Sequence, residues 1–372
     1  MAEGVPGTAA ERPIEVLLVA PANAIGGQAQ AARDILEGFA GDPRIRVRLQ
    51  PSDPKLSGRW RWLTQVSVLR TIVRPLVYWP QLLRAIEAAD VVQVFCTAHL
   101  AFVLGALPAI LLSRRRRRAL ILHYHDGRAQ SHLRWWGPFA RWGLRRGLLV
   151  VPSRWLQEVF ATAGLASEVV PNVVDVEAFA YREPDPLPRR LVSTRWLEPL
   201  YAVDNTLSAF RLLRREFPDL VLDVYGGGIA LNRLKRLARE WDLGDARFHG
   251  PIDHAQMPQA LAMGGIMINS SRIDNAPHFV IEAFAAGTPV VSTRAGGIPF
   301  MVDAGRTGLL VPIDDPGALA GAVARLYREA ELAGRLARAA RLECSKYSWA
   351  AAANRWKSLY IRLGTRREPA PA

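Results

Sequence analysis

Two carboxylates eight positions apart, Asp274 and Glu282, bracket the start of a short apolar run that contains Phe279, Ile281, Ala283 and Phe284. A carboxylate offers paired acceptors that suit vicinal hydroxyls, such as those of a ribose. Between the acids, the turn Asp274-Asn275-Ala276-Pro277 leads into the run. Pro277 suits the first helical position, where a missing N–H costs nothing. Gly287 then stops the helix and Pro289 follows it. A helix start beside a polar turn presents free N–H groups and a partial positive charge, a seat for phosphate. With one acid before the helix and one inside it, both can flank a single phosphate-bearing ligand.

Other chemistry-bearing residues fall at strand ends. A strand over 14–19 enters a loop with Gly26, Gly27 and Gln28, and an Ala-rich helix follows to about Phe39. Strand, glycine loop and helix in that order bring a ligand to a helix N-terminus. The loop is not GxGxxG, which gives a nicotinamide reading little support. The strand 119–124 runs into His123-Tyr124-His125-Asp126-Gly127, and Arg195 closes a strand over 191–195. Polar residues just past parallel strands sit at the carboxyl edge, where α/β ligands bind. His125 is the candidate of the two histidines, because His123 belongs to the strand itself. Gly226-Gly227-Gly228 follows a further strand and lets backbone approach a ligand closely. The seven histidines are scattered and form no metal-ligand cluster, so no metal is expected. No G-x-S-x-G or Cys/His nucleophile motif is present.

The elements that must position these groups alternate as strand and helix. The chain has 372 residues, half of them hydrophobic, which suits two α/β domains rather than one core. Cys96 and Cys344 are its only cysteines, which excludes a disulfide framework and a Cys-rich zinc site. No signal-peptide pattern opens the sequence, and a cytoplasmic location is expected. Pro184, Pro186 and Pro188 mark 181–190 as a linker. After it, strands over 191–195, 220–225, 246–249 and 266–270 alternate with helices over 203–216, 230–241 and 258–263, a second parallel βα domain. One helix is expected near 316–343 and a Trp-containing terminal helix over 347–363. Residues 100–112 read as a buried or interfacial helix, too short to span a bilayer and holding Pro108.

The stretch from Asp274 through Gly297 resembles the E-x7-E signature of retaining family-4 glycosyltransferases of the GT-B fold, with Asp274 in the first acidic position. Val150-Val151-Pro152-Ser153 resembles the family's PS motif, and Pro171-Asn172-Val173-Val174-Asp175 its PN-G-VD motif, with Val173 where Gly is usual. The resemblance covers nearly the whole chain and is densest over 150–310. It implies an α/β chain of two Rossmann-like parallel-sheet domains facing across a cleft, with a C-terminal helix crossing back to the first domain. The corresponding divisions are a disordered tail 1–12, an acceptor-side domain 13–180, the linker 181–190, a nucleotide-sugar-binding domain 191–346 and a tail 364–372. It implies transfer of a sugar from a nucleotide diphosphate to an acceptor, with no cofactor and no metal. Carried over by position, Glu282 takes the ribose hydroxyls, Asp274 the donor sugar, and His125 lies near the sugar or acceptor. Arg195 grips the diphosphate and, with Asp274 and His125, makes the catalytic set. Gly26, Gly27, Gln28, Gly227, Asn275, Ala276, Pro277, His278 and Phe279 join the donor-binding residues. His249-Gly250-Pro251-Ile252 resembles the loop whose backbone faces the nucleobase, which adds Ile252. The family's lysine five or six residues after Arg195 is absent, since Leu200 and Tyr201 occupy those places, so Arg195 must act with helix amides or with Arg272 or Arg294.

The charge is distributed unevenly. The window 55–154 holds 17 basic and 3 acidic residues, which accounts for the whole net charge of +14. It also holds Trp60, Trp62, Trp79, Trp135, Trp136 and Trp142, the run of five arginines over 114–118, and Leu63, Val66, Leu69 and Val73 at helical spacing. A basic, Trp-bearing amphipathic surface suits an anionic membrane face. No helix-turn-helix, zinc or RNP pattern accompanies it, so nucleic acid is not expected as a partner. Expected partners are a nucleotide-sugar donor, a glycan or lipid-linked acceptor and the inner face of a membrane. Three readings stay open: a retaining glycosyltransferase; a GT-B enzyme of another class, such as a nucleotide-sugar epimerase or phosphorylase-like enzyme; and a non-catalytic binding protein.

Overall fold

The computed structural model describes residues 12–22, 26–54 and 67–365. Among them are twelve strands: β1 (Ile14–Ala20), β2 (Ile45–Pro51), β3 (Val91–Cys96), β4 (Ala119–Tyr124), β5 (Leu148–Val151), β6 (Glu168–Val169), β7 (Arg190–Thr194), β8 (Val221–Tyr225), β9 (Ala246–Gly250), β10 (Ile266–Asn269), β11 (Val290–Thr293) and β12 (Leu309–Val311). They form two six-stranded sheets, in the orders β2-β1-β3-β4-β5-β6 and β12-β11-β10-β7-β8-β9. The pairing is parallel, for example Val16 with Val91 and Val291 with Leu309. Every residue of β3, β10 and β11 is buried. Strands apolar without alternation are the mark of a parallel sheet covered by helices on both faces.

The chain divides into two compact units, one of residues 1–124, 138–149 and 353–372, the other of 125–137 and 150–352. In the second unit, successive residues of β7 face opposite cores, as the pleat requires. Leu191 packs with Phe210, Leu222 and Val323, whereas Val192 packs with Met267, Phe279 and Phe284. In the first unit the terminal helix Trp349–Gly364 supplies Trp356 and Tyr360, both fully buried. Tyr360 donates its hydroxyl to Gln93 Oε1 at 2.6 Å, which turns the Gln93 amide to donate to His123 Nδ1 at 3.0 Å. Lys357 Nζ reaches Asp42 Oδ2 at 2.6 Å. That helix starts two residues later than the sequence suggests, after a short 3-10 turn, Cys344–Tyr347.

Three other expectations about elements are corrected. Pro277 is the N-cap, with φ −72° and ψ 131°, and the helix runs His278–Ala286. The Asn172 amide occupies the carbonyl of Ala276 at 2.8 Å, so the first helical acceptor is Pro277, which takes Val280 N–H at 3.3 Å. The single helix near 316–343 is two, Pro316–Arg328 and Ala330–Glu343, broken at Glu329. The break redirects the chain, because Leu332 and Leu336 pack in the core with Leu191 whereas Ala340 and Cys344 pack in the core with Val192. Residues 102–106 form a wide π turn before the α-helix Leu107–Arg115. Pro108 explains it, since a proline ring crowds the carbonyl four residues back.

Candidate functional site

The carboxyl ends of parallel strands place the candidate residues of the second unit. Arg195 follows β7 immediately, since the strand ends at Thr194, one residue before the expected end at Arg195. Its Nη2 lies 2.8 Å from Asp274 Oδ2; the acid is buried and the arginine side chain 13% exposed. The guanidinium is held between rings, 4.1 Å from the Tyr201 centroid and 5.1 Å from that of Phe279. Tyr201 therefore stands beside Arg195 in the place of the absent lysine. Its phenol pKa is raised, chiefly by burial.

Asp274 is fixed on two further sides. The Asn275 amide donates to its Oδ1 at 3.1 Å, and Ser271 Oγ lies 3.2 Å from its Oδ2. Ser271 Oγ also meets Asn269 Oδ1 at 2.7 Å, and Asn269 Nδ2 donates to Ser292 Oγ at 2.9 Å, so a buried polar chain runs from β11 through β10 to the acid. Burial pushes the Asp274 carboxyl above the usual carboxylate range, with the Arg195 guanidinium acting against it. The turn rests on the glycines after β11. A Cβ on Gly296 would stand 2.0 Å from Asp274 O, and one on Gly297 would stand 1.8 Å from Asn275 O.

Asn275 joins three segments. Its Oδ1 accepts from Ser153 Oγ at 2.5 Å and its Nδ2 donates to His125 O at 3.1 Å. Ser153 also caps the helix Arg154–Thr162 by accepting from Leu156 N–H. The backbone of His125 is thus tied to the turn that carries Asp274. Its ring is pushed down to a pKa of about 3 by burial and is neutral at neutral pH. Glu282 and His278 are buried in the helix that follows the turn, together with Phe279, and Ala276 is buried beside it.

The remaining candidates are placed as follows. Gly226 packs on Arg195, where a Cβ would fall 1.9 Å from the Arg195 carbonyl oxygen, and Gly227 lies against Pro251. These glycines admit the chain's own backbone beside Arg195, an approach that any side chain would block. Ile252 follows β9 and packs against the core that holds Phe279. Arg272 is drawn to Asp314, at 2.8 and 3.0 Å, and to Pro199 O. Arg294 follows β11 with an exposed side chain. Gly26, Gly27 and Gln28 belong to the other unit, where Gly26 caps the helix Gly27–Gly38. Among the described residues no group of three or more His, Cys, Asp or Glu is placed to hold a metal.

Within the basic window, Trp79, Trp135 and Trp142 are exposed, with Leu76, Leu111 and Phe139. Arg146 lies 3.7 Å over the Trp142 ring. Two arginines of the five are engaged, Arg116 with the Glu87 carboxylate at 2.7 Å and Arg118 with the Glu87 carbonyl at 2.6 Å. The helix Ser67–Glu87 covers the positions of Leu69 and Val73. Trp60, Trp62, Leu63 and Val66 lie outside the described residues, as do 1–11 and 366–372 of the expected tails. No helix among the described residues is long and apolar enough to cross a membrane.

Sequence reasoning did not single out Ser153, Ser271, Tyr201 or the Gly296-Gly297 pair for the parts they play here. Ser153 and Ser271 carried a usable signal, a hydroxyl just past a parallel strand.

Comparison with known proteins agrees with this architecture. Residues 182–343 match the family described as glycosyl transferases group 1. A GDP-mannose-dependent alpha-(1-6)-phosphatidylinositol monomannoside mannosyltransferase of Mycolicibacterium smegmatis is 32% identical over 257 residues, 61% of this chain and 64% of that protein. A D-inositol 3-phosphate glycosyltransferase of Streptomyces avermitilis is 33% identical over 174 residues, 44% of this chain and 38% of the relative. The chain thus spans less than two thirds of either relative's length. Among solved structures, Anabaena HepE in complex with UDP-glucose superposes with a TM-score of 0.74 at 16% identity, covering 94% of this chain and 100% of that one. Sucrose-phosphate synthase from Thermosynechococcus elongatus gives 0.74 at 19% identity, covering 96% and 100%. The fold is GT-B, with two Rossmann-like halves.

Proposed function

We propose, from the match of residues 182–343 to the group 1 glycosyl transferases, that this chain is a retaining glycosyltransferase acting from a nucleotide-diphosphate sugar. The observation that carries the reading is the Arg195–Asp274 pair beside the start of the helix His278–Ala286, with Glu282 one turn further on. In this reading Glu282 accepts hydrogen bonds from the ribose hydroxyls. Arg195 and the first amides of the helix take the diphosphate, and Asp274 meets the sugar. Aligned amides and a guanidinium stabilise charge as it builds on the leaving phosphate, which needs no cation. His125, kept neutral by burial, offers a hydrogen bond rather than a charge to the sugar or acceptor. UDP-glucose is bound in HepE, and the mycolicibacterial relative is named as GDP-mannose-dependent, which supports a nucleotide-sugar donor.

The acceptor is held at a membrane in this reading, and the protein sits peripherally on the anionic inner face. The charge excess of 55–154 and the exposed Trp79 and Trp142 support it. So does the lipid acceptor in the mycolicibacterial relative's name, a phosphatidylinositol monomannoside.

The test is a screen of the purified chain against a sugar-nucleotide panel including UDP-glucose and GDP-mannose, with UDP and GDP titrated by calorimetry. Charged hydrogen bonds are worth about 1.5–3 kcal/mol, so Glu282→Ala should weaken nucleoside diphosphate binding about ten- to a hundredfold. Unchanged binding in a folded variant refutes the ribose role. Donor binding without turnover favours the non-catalytic reading, to which the missing lysine gives some support.

A further inference from the structure

Arg195 brings one guanidinium to the site, and Asp274 already matches its charge at 2.8 Å. A diphosphate leaving group calls for more positive charge than that pair supplies. Position 201 supplies none, because it is a tyrosine. Arg272 is committed to Asp314 and Pro199.

The loop after β4 offers the missing charge. Asn275 Nδ2 holds the carbonyl of His125 at 3.1 Å. Two residues on, Gly127 sits so close to the acid-bearing turn that a Cβ would lie 3.1 Å from Ile273 Cγ2 and 3.6 Å from the Asp274 carbonyl carbon. The next residue is Arg128. Its amide donates to Asp126 Oδ1 at 2.9 Å, and its guanidinium forks across the same carboxylate, Nε to Oδ1 at 3.0 Å and Nη2 to Oδ2 at 2.8 Å. Its side chain is 47% exposed. The charges of Arg195, Asp274, Asp126 and Arg128 all act on the Tyr201 phenol.

We propose that Arg128 is the second diphosphate-binding cation of this chain, preset on Asp126 and exchanged onto the leaving phosphate when donor arrives. The inference rests on the donor reading given above. The pair is open on its arginine side, 47% exposed against 10% for Asp126, so a ligand can reach the guanidinium. A phosphate competes well for a guanidinium because it accepts the same fork with two charge-assisted hydrogen bonds. Asp126 thus keeps the fork planar and oriented until the exchange, and arginine serves where a lysine would lose the bidentate geometry.

Calorimetric titration of the full chain with uridine, UDP, guanosine and GDP separates the two halves of the ligand. The ratio of diphosphate to nucleoside affinity reads the phosphate contacts alone. Arg128→Gln should lower that ratio about tenfold while leaving nucleoside affinity unchanged. Arg128→Lys should lower it by a smaller factor, and it carries the test should the glutamine variant fail to fold. Asp126→Asn, which frees the guanidinium from its competitor, should raise the ratio. If Arg128 only shaped the loop, both Arg128→Gln and Asp126→Asn would weaken nucleoside and diphosphate alike, and that result overturns the inference. An unchanged ratio in Arg128→Gln also overturns it and leaves the donor reading standing. A wild-type protein that binds neither UDP nor GDP overturns both.

Discussion

Replacing Gly297 by alanine tests whether the glycine pair sets the position of the acid. Gly297 has φ −83° and ψ −7°, a conformation that alanine adopts freely, so the substitution acts through contact alone. The new Cβ would meet Asn275 O at 1.8 Å, where real Cβ contacts stay beyond 3.0 Å. The Asn275 carbonyl must therefore retreat by about 1 Å or more. Three hydrogen bonds hold that residue: from Ser153, to His125 O and to Asp274 Oδ1. The turn therefore cannot move without displacing Asp274 from Arg195 or His125 from the turn. A misplacement of about 1 Å at a reacting group costs about a hundredfold in rate. Overpacking of this kind costs about 1–3 kcal/mol of stability. We expect Gly297→Ala to fold with a lowered melting temperature and to lose about a hundredfold in sugar transfer, measured with a donor that the wild type turns over. Gly321→Ala is the control, since nothing lies within 4 Å of its Cβ and it sits exposed in the helix Pro316–Arg328. Alanine there should stabilise by about 0.5–1 kcal/mol and leave transfer unchanged. Wild-type transfer by Gly297→Ala would refute the view that the glycine contact positions the acid.

Arg195→Ala should reduce turnover more than it reduces binding of uridine or guanosine, because its charge is needed most as the phosphate departs; equal losses in both would contradict that role. The depressed pKa of His125 makes an acid-labile contribution to stability. The unfolded chain takes up the proton first, so this contribution is complete above the ordinary histidine range, near 6.5. It is lost as pH falls through that value towards about 3. His125→Gln should flatten this part of the urea-unfolding stability profile, and an unaltered profile would count against burial of the ring. Tyr360→Phe should cost about 1–3 kcal/mol in chemical unfolding by leaving the buried Gln93 Oε1 without its donor, and a neutral effect would show that the contact is not needed. Vesicle flotation should find the protein with anionic but not neutral vesicles at low salt. It should weaken when Arg114, Arg115 and Arg117 become glutamine, while flotation equal with both vesicle types, or with neither, argues against an electrostatic membrane contact.

The sequence made some of this legible, for reasons that differ residue by residue. The spacing of Asp274 and Glu282 reads directly as one acid before a helix and one within it, because Gly287 and Pro289 fix where the helix stops. Arg195 was legible because a short aliphatic run shows where a strand gives out. The Arg195–Asp274 ion pair was not, since it joins residues 79 positions apart through two strand ends whose adjacency only the sheet order decides. Gly296 and Gly297 looked like the loop chemistry of a strand end; the carbonyls they accommodate belong to a segment some twenty residues earlier. Pro277 fits the first helical position by itself, but its ψ of 131°, next to the Asn172 bond on the Ala276 carbonyl, makes it the cap. The break at Glu329 carries no glycine or proline, because it is imposed by the two cores that the flanking helices must reach.

The terminal helix has a consequence for how the chain is made. Residues 353–364 complete the first unit, joining Lys357 to Asp42 across 315 positions and Tyr360 to Gln93 across 267. During vectorial synthesis the strands β1 to β4 leave the ribosome early, yet the surface that Trp356 and Tyr360 cover stays open until the second unit has been translated. At about 5–20 residues per second the 260 or so intervening residues leave it open for on the order of 13–50 seconds. A nascent chain of this protein is therefore a long-lived client for chaperones, and stalling between 150 and 350 should leave it aggregation-prone.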